Sequence, residues 1–210
     1  RQALPSRSAC RPEGRIAGLN TPAAPLIHHP AESELFDETL SCDVDLPADF
    51  LRGSGGVRAS AAEQLLRSIG LVEDSRGEDK DDRGEASPGQ QRIEAKLDLV
   101  LLVVGRLVRQ QADALPLRPL RWSRRGIRLQ LGPRSGAVAG SAGTVRLQPS
   151  DWLPDHVDLP VQVLAEAANG AGGHYLWLRF DELGDGLEMA LERHLFRLHR
   201  RQIADARRYR

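Results

Sequence analysis

Leu120-Arg121-Trp122-Ser123 and Gly126-Ile127-Arg128-Leu129-Gln130-Leu131 are two strand-like runs, and Arg124 and Arg125 between them complete a Ser123-x-x-Gly126 turn. Three more runs of this kind follow, Thr144 to Leu147, Val157 to Glu166 and His174 to Phe180. Joints rich in glycine or turn residues separate them at Gly132 to Gly143 and Asn169 to Gly173. Short strands at such spacing predict a small antiparallel barrel. The chain closes with a helix expected from Leu187 to Arg207, with Leu187, Leu191, Leu195 and Leu198 along one side. The fold class expected is mainly β barrel with added helices, α+β in kind, over residues 116–210.

Upstream of the barrel, Pro116 and Pro119 stop a long periodic segment, residues 91–115. Ile93, Leu97, Val100, Val104, Leu107, Gln111 and Ala114 recur at alternating spacings of four and three, the seam of a left-handed coiled coil. Leu99, Leu101, Leu102, Val103 and Val108 lie off that seam, so the helix must be covered on more than one face. Two readings follow: an oligomer, dimer or tetramer, formed through Leu97, Val100, Val104 and Leu107, or a helix buried within its own monomer. A strand over Val100 to Val104 is a poorer third.

The first half reads as poorly supplied with core. Aromatics are 4% of the chain, against 28% charged residues, 20 glycines and 13 prolines, which predicts one domain plus a tail. Residues 1–34 lack any period, and Thr21-Pro22 and His29-Pro30 break regular structure, so a disordered arm is expected there. Residues 35–72 predict a short edge strand around Leu40, Cys42 and Val44, ending at Leu46-Pro47, and a helix. That helix is expected to open with a Ser60-Ala61-Ala62-Glu63 capping box and to end at Gly70. Residues 73–90 form an acidic linker, with seven acids against three bases up to Glu85.

Charge balances at 29 basic and 29 acidic residues, which argues against nucleic acid as a partner. Locally, residues 193–210 hold seven arginines against Asp205, and Arg193, Arg197, Arg200 and Arg207 share a helix face that is either a binding face or a solvated one. Cys10 and Cys42 form no metal or disulfide pattern, and His194 and His199 lack ligand spacing, so no metal is expected. The run Leu99 to Val104 is far short of a membrane span, and a cytoplasmic location is the default. No H-E-x-x-H, G-x-S-x-G or P-loop motif occurs, and the expectation is a protein that is not an enzyme and carries no cofactor.

Ser123-Arg124-Arg125-Gly126-Ile127-Arg128-Leu129 resembles the S-x-x-G turn and following strand of PilZ domains. Tyr175-Leu176-Trp177-Leu178-Arg179-Phe180 is similar to the family's last barrel strand, and Leu191 to Arg201 to its closing helix. With the helix before the barrel and the arginine-rich ending, the whole resembles the atypical, tetramer-forming branch known from xanthomonads. The resemblance implies a PilZ-like barrel in bacterial cyclic di-GMP signalling. A cyclic dinucleotide needs guanidinium groups for its phosphates and guanines, and the residues at the matching place are Arg118, Arg121, Ser123, Arg124, Arg125 and Gly126. The family's R-x-x-x-R segment is not present there, and Arg121 stands where the family carries Asp or Asn. Two functions stay open: an oligomeric cyclic di-GMP receptor using an arginine-based site, and an oligomeric adaptor that binds no ligand and works through an unidentified downstream protein. The arginines then form either an anion-binding cluster at one barrel mouth or a solvated turn in which Ser123 and Gly126 serve geometry alone.

Overall fold

The computed structural model describes residues 29–53, 59–78, 115–150, 152–153 and 155–208, with positions 89, 92, 93, 96, 97, 99, 100 and 104. The elements are helix α1 (Pro30–Phe36), strand β1 (Ser41–Arg52), helix α2 (Ala59–Glu78), strands β2 (Leu117–Ser123), β3 (Gly126–Leu131), β4 (Ala142–Leu147), β5 (Val157–Ala168) and β6 (His174–Phe180), and helix α3 (Asp185–Arg208). The six strands close into an antiparallel barrel in the order β1-β2-β3-β6-β5-β4, with β4 returning to β1.

Alternation places the core. Along β5, Val157, Leu159, Val161 and Val163 point inward and are buried, with half-exposed residues between them. A bulge between Val163 and Ala165 then shifts the register, so that Ala165 and Ala167 lie opposite Trp177 and Tyr175 on the outer face. β6 departs from alternation because both of its faces are covered. Leu176 and Leu178 fill the barrel, while Tyr175 and Trp177 join Ala31, Leu35 and Phe36 of α1 in a separate outer cluster.

Helices α2 and α3 form a layer that packs on the barrel core. Leu66, Leu187, Leu191, Leu195 and Leu198 all enter the main core cluster, as the one-sided leucine pattern of α3 leads one to expect. Each fully buried leucine contributes about 1.5–3 kcal/mol. An ionic contact ties the two helices together: Arg197 pairs with Glu73 (3.4 Å) and Asp74 (3.6 Å), and Arg201 also pairs with Glu73.

The N-terminal half differs from its sequence reading in three places. First, β1 is not an extra edge strand ending at Leu46-Pro47. It runs twelve residues, pairing with β2 from Ser41 to Pro47 and with β4 from Ala48 to Arg52. Pro47 is tolerated because it stands where the strand passes from one neighbour to the other. Second, the expected disordered arm, residues 1–34, ends in order. His29-Pro30 starts a helix, since proline suits the first helical position and the His29 ring accepts the Ala31 amide (3.2 Å); residues 1–28 lie outside the described residues.

Third, α2 begins at Ala59 and runs through Gly70 to Glu78, so Ser60 lies inside its first turn, and Glu63 pairs with Arg67 (2.7 Å). Gly70 serves close packing: a Cβ there would lie 2.5 Å from the Arg197 guanidinium. The opening of the supposed linker 73–90 is therefore helical; residues 79–88 and 90 lie outside the described residues. The coiled-coil helix 91–115 falls largely outside the described residues too. At 92, 93, 96, 97, 99, 100 and 104 the backbone is helical, and Ile93, Leu97, Leu99, Val100 and Val104 are exposed. Leu107 is not among the described residues. Among those that are, no helix is long and apolar enough to cross a membrane.

His194 lies sealed in the core beside Trp122, with ring centroids 5.5 Å apart, and neither ring nitrogen makes a well-aligned hydrogen bond. Burial, and then the charges of Arg197 and Arg201, push its pKa down to about 3, against a slight opposing pull from the Pro149 carbonyl. An unfolded histidine titrates near 6.5. Between these values the unfolded chain binds a proton that the folded chain refuses, so the contribution is whole above pH 6.5 and is lost as pH falls. Denaturant titration between pH 7 and pH 4 is expected to show stability falling by up to about 1.4 kcal/mol per pH unit from this group, and His194→Leu is expected to flatten that slope.

Candidate functional site

The turn between β2 and β3 is built by Ser123 and Gly126. The buried Ser123 hydroxyl accepts the amides of Arg125 (3.1 Å) and Gly126 (3.3 Å) and donates to the Leu35 carbonyl (2.7 Å). A side chain at Gly126 is excluded by close approach: a Cβ would meet the Leu178 carbonyl oxygen, Leu35 Cδ2 at 2.8 Å and Arg179 Cα at 3.0 Å. Both residues thus act in geometry and in seating α1 on the turn.

Helix α1 carries two carboxylates onto an arginine-rich outer face. Oε1 of Glu32 takes Arg121 Nη1 (2.9 Å) and Arg128 Nη1 (2.7 Å), and its Oε2 takes Trp177 Nε1–H (2.7 Å). Arg121 also donates to Ser41 Oγ and lies over the Phe36 ring, 4.6 Å from its centroid. Arg128 lies over Tyr175 at 4.7 Å. Beside them Glu34 pairs with Arg179 (3.0 Å), and its carbonyl accepts Arg125 Nη1 (3.1 Å).

The predicted arginines therefore do not converge on one barrel mouth. Arg118 and Arg121, three residues apart on a strand, face opposite ways, and Arg118 reaches Asp49 (3.1 Å) and the Ala48 carbonyl (2.9 Å) instead. Arg124 turns toward α3 and pairs with Glu192 (3.0 Å). What the turn does bring together is Arg124, Arg125 and Arg179, around a groove of about 520 Å³ shared with Glu34, Phe180 and Glu188. A second groove of about 620 Å³ gathers Arg193, Arg197 and Arg200 of α3 with Arg124, Leu40 and Phe196. Arg193, Arg197 and Arg200 do share a face, as their spacing predicts.

Sequence reasoning missed Glu32, Arg128, Tyr175, Trp177 and Arg179. One signal was available: Tyr175-Leu176-Trp177-Leu178 does not alternate, which marks a strand covered on both faces. Among the described residues no group of His, Cys, Asp and Glu could hold a metal ion. Cys42 is free and buried; burial, then the nearby Asp43, pushes its thiol up, and its Sγ lies 3.6 Å from the Leu195 carbonyl.

A family model described as "Atypical PilZ domain, cyclic di-GMP receptor" matches residues 66–208. A solved structure from Xanthomonas campestris, described as a pathogenic protein with a new tetrameric PilZ domain self-assembled via an unusual helical bundle, is 53% identical. It covers 83% of this chain and 95% of its own, with a TM-score of 0.71. The PilZ domain of Escherichia coli YcgR, solved with c-di-GMP, is 17% identical over 43% of this chain and 76% of its own, with a TM-score of 0.36. The Bacillus subtilis inhibitor of motility is 17% identical over 42% of this chain and 43% of its own, with a TM-score of 0.35. No curated protein matches. With the family model spanning most of a chain that folds as a closed β-barrel capped by a C-terminal helix, this protein belongs to the atypical PilZ domain family.

Proposed function

We propose that this protein is an oligomeric PilZ receptor of bacterial cyclic di-GMP signalling, acting in the cytoplasm. The observation that carries the reading is the groove beside the Ser123-x-x-Gly126 turn, where Arg124, Arg125 and Arg179 present guanidinium groups around about 520 Å³. Such groups match phosphate oxygens and guanine edges through paired donors. The description of the matching family model supports the ligand class. A second reading, an adaptor that binds no ligand, is favoured by one observation: Arg121, at the position of the family's Asp or Asn, offers donors only and is held by Glu32.

Oligomerisation is supported by the exposed Leu97, Val100 and Val104 on helical backbone, and by the 53% identity to a PilZ protein that assembles as a tetramer. Apolar side chains at a/d spacing gain by covering one another.

Two measurements follow. Calorimetry with cyclic di-GMP is expected to show binding that Arg125→Ala weakens by about tenfold or more, as a charge-assisted contact contributes roughly 1.5–3 kcal/mol, with thermal stability little changed. No heat at high micromolar dinucleotide favours the adaptor. Light scattering on the full chain is expected to give a dimer or tetramer that the double change Val100→Asp, Val104→Asp reduces to monomer, while a wild-type monomer at micromolar concentration contradicts the assembly.

A further inference from the structure

The outer face of β2, β3 and β6 holds aromatic rings and paired guanidinium groups where a barrel exterior normally meets water. Trp177 and Tyr175 point outward there, since their neighbours Leu176 and Leu178 fill the barrel, yet they are 0% and 5% exposed because α1 covers them. A helix of seven residues has too few internal hydrogen bonds to persist by itself. Its order derives from what it docks on. Beside the apolar contacts of Ala31, Leu35 and Phe36 and the hold of Ser123 on the Leu35 carbonyl, two further groups dock it: the His29 ring, stacked on Trp177 at 4.6 Å between centroids and 17° from parallel, and the Glu32 carboxylate, held between Arg121 and Arg128.

A flat nitrogen heterocycle on an indole, with an anion between two arginines close by, is also how proteins hold a base and its phosphate. Glu32 of α1 brings its carboxylate to Arg121 and Arg128, and it neutralises the guanidinium groups an anionic ligand would use.

We propose that the face beneath α1 is a purine nucleotide site that α1 occupies in cis, with His29 in the place of the base and Glu32 in the place of the phosphate. A nucleotide binds there by displacing α1 from Trp177, Arg121 and Arg128, and docking and binding exclude one another. The identity of the nucleotide as cyclic di-GMP rests on the receptor reading above, whose groove at Arg124, Arg125 and Arg179 adjoins this face along Glu34 and Leu35 of α1; the competition with α1 does not. Apparent affinity is set by the fraction of molecules whose α1 is undocked.

The test titrates the full wild-type chain, Glu32→Gln and Glu32→Gln/Arg128→Ala with cyclic di-GMP and, separately, with GMP. Hydrogen exchange at residues 30–36 of the wild type is followed with and without nucleotide, a readout that does not depend on any variant folding. Glu32→Gln is expected to bind at least tenfold more tightly than wild type, Arg128→Ala to remove that gain, and bound nucleotide to raise exchange in α1. Equal affinity of wild type and Glu32→Gln, with α1 still protected in the complex, overturns the competition and leaves the receptor reading standing. GMP that binds and opens α1 while cyclic di-GMP does not bind upholds the site and removes the receptor reading. If neither nucleotide binds any form at millimolar concentration, site and receptor reading fall together.

Discussion

β1 is the constraint on which the rest of the molecule depends. A five-stranded sheet ending in β2 and β4 would leave two open edges, each a row of unpaired backbone donors and acceptors. By pairing first with β2 and then with β4, β1 removes both edges at once. The hand-over falls at Pro47 and Ala48, where the Ala48 amide donates to the Pro116 carbonyl (3.0 Å) and the Gln148 amide to the Pro47 carbonyl (2.9 Å). Closure thus draws together residues on either side of a long intervening stretch of chain. It also tethers α1, which precedes β1 by a short turn, beside the Ser123-x-x-Gly126 bend.

Once α1 is held there, the outer face of β6 becomes interior. That explains why this barrel has two apolar clusters rather than one, and why Trp177 lies in the outer one. It also changes what the arginines are. In water, Arg121 and Arg128 would be a solvated basic stripe; beneath α1 they are partly buried and ion-paired, where Coulomb attraction is less screened. Partial burial of a charge is tolerable only with a partner, and Glu32 is that partner. Docking of α1 and charge of the site are therefore one physical fact.

The α2–α3 layer repeats the pattern on another side. Leucines of both helices pack inward, and Arg197 and Arg201 tie α3 to α2 through the largely buried Glu73. Those same arginines bear on His194, whose unprotonated state is part of how the layer fits the barrel. The arginine-rich ending and the acidic stretch after Leu71, opposite in sign in the sequence, meet in the fold through these pairs.

What the sequence determined by itself was whatever a local period encodes. β3 and β6 run from Gly126 to Leu131 and from His174 to Phe180 as their composition indicates, and Leu187, Leu191, Leu195 and Leu198 mark the buried side of α3, because burial of one face imposes a period of two or of three to four. The Ser123-x-x-Gly126 turn was legible for the same reason, since its hydrogen bonds close within three residues. The tertiary structure alone decided the rest. A seven-residue helix is too short to show a period, so α1 is invisible until its docking surface exists. β1, broken by Pro47 and carrying three aspartates, looks like an edge until β4 comes to its second half. The partners of the arginines lie 69 to 91 residues away in the chain for Arg118, Arg121 and Arg125. Spacing along a sequence says which side chains share a face, but charge pairing is settled by which faces the closed barrel brings together, and that depends on every strand at once.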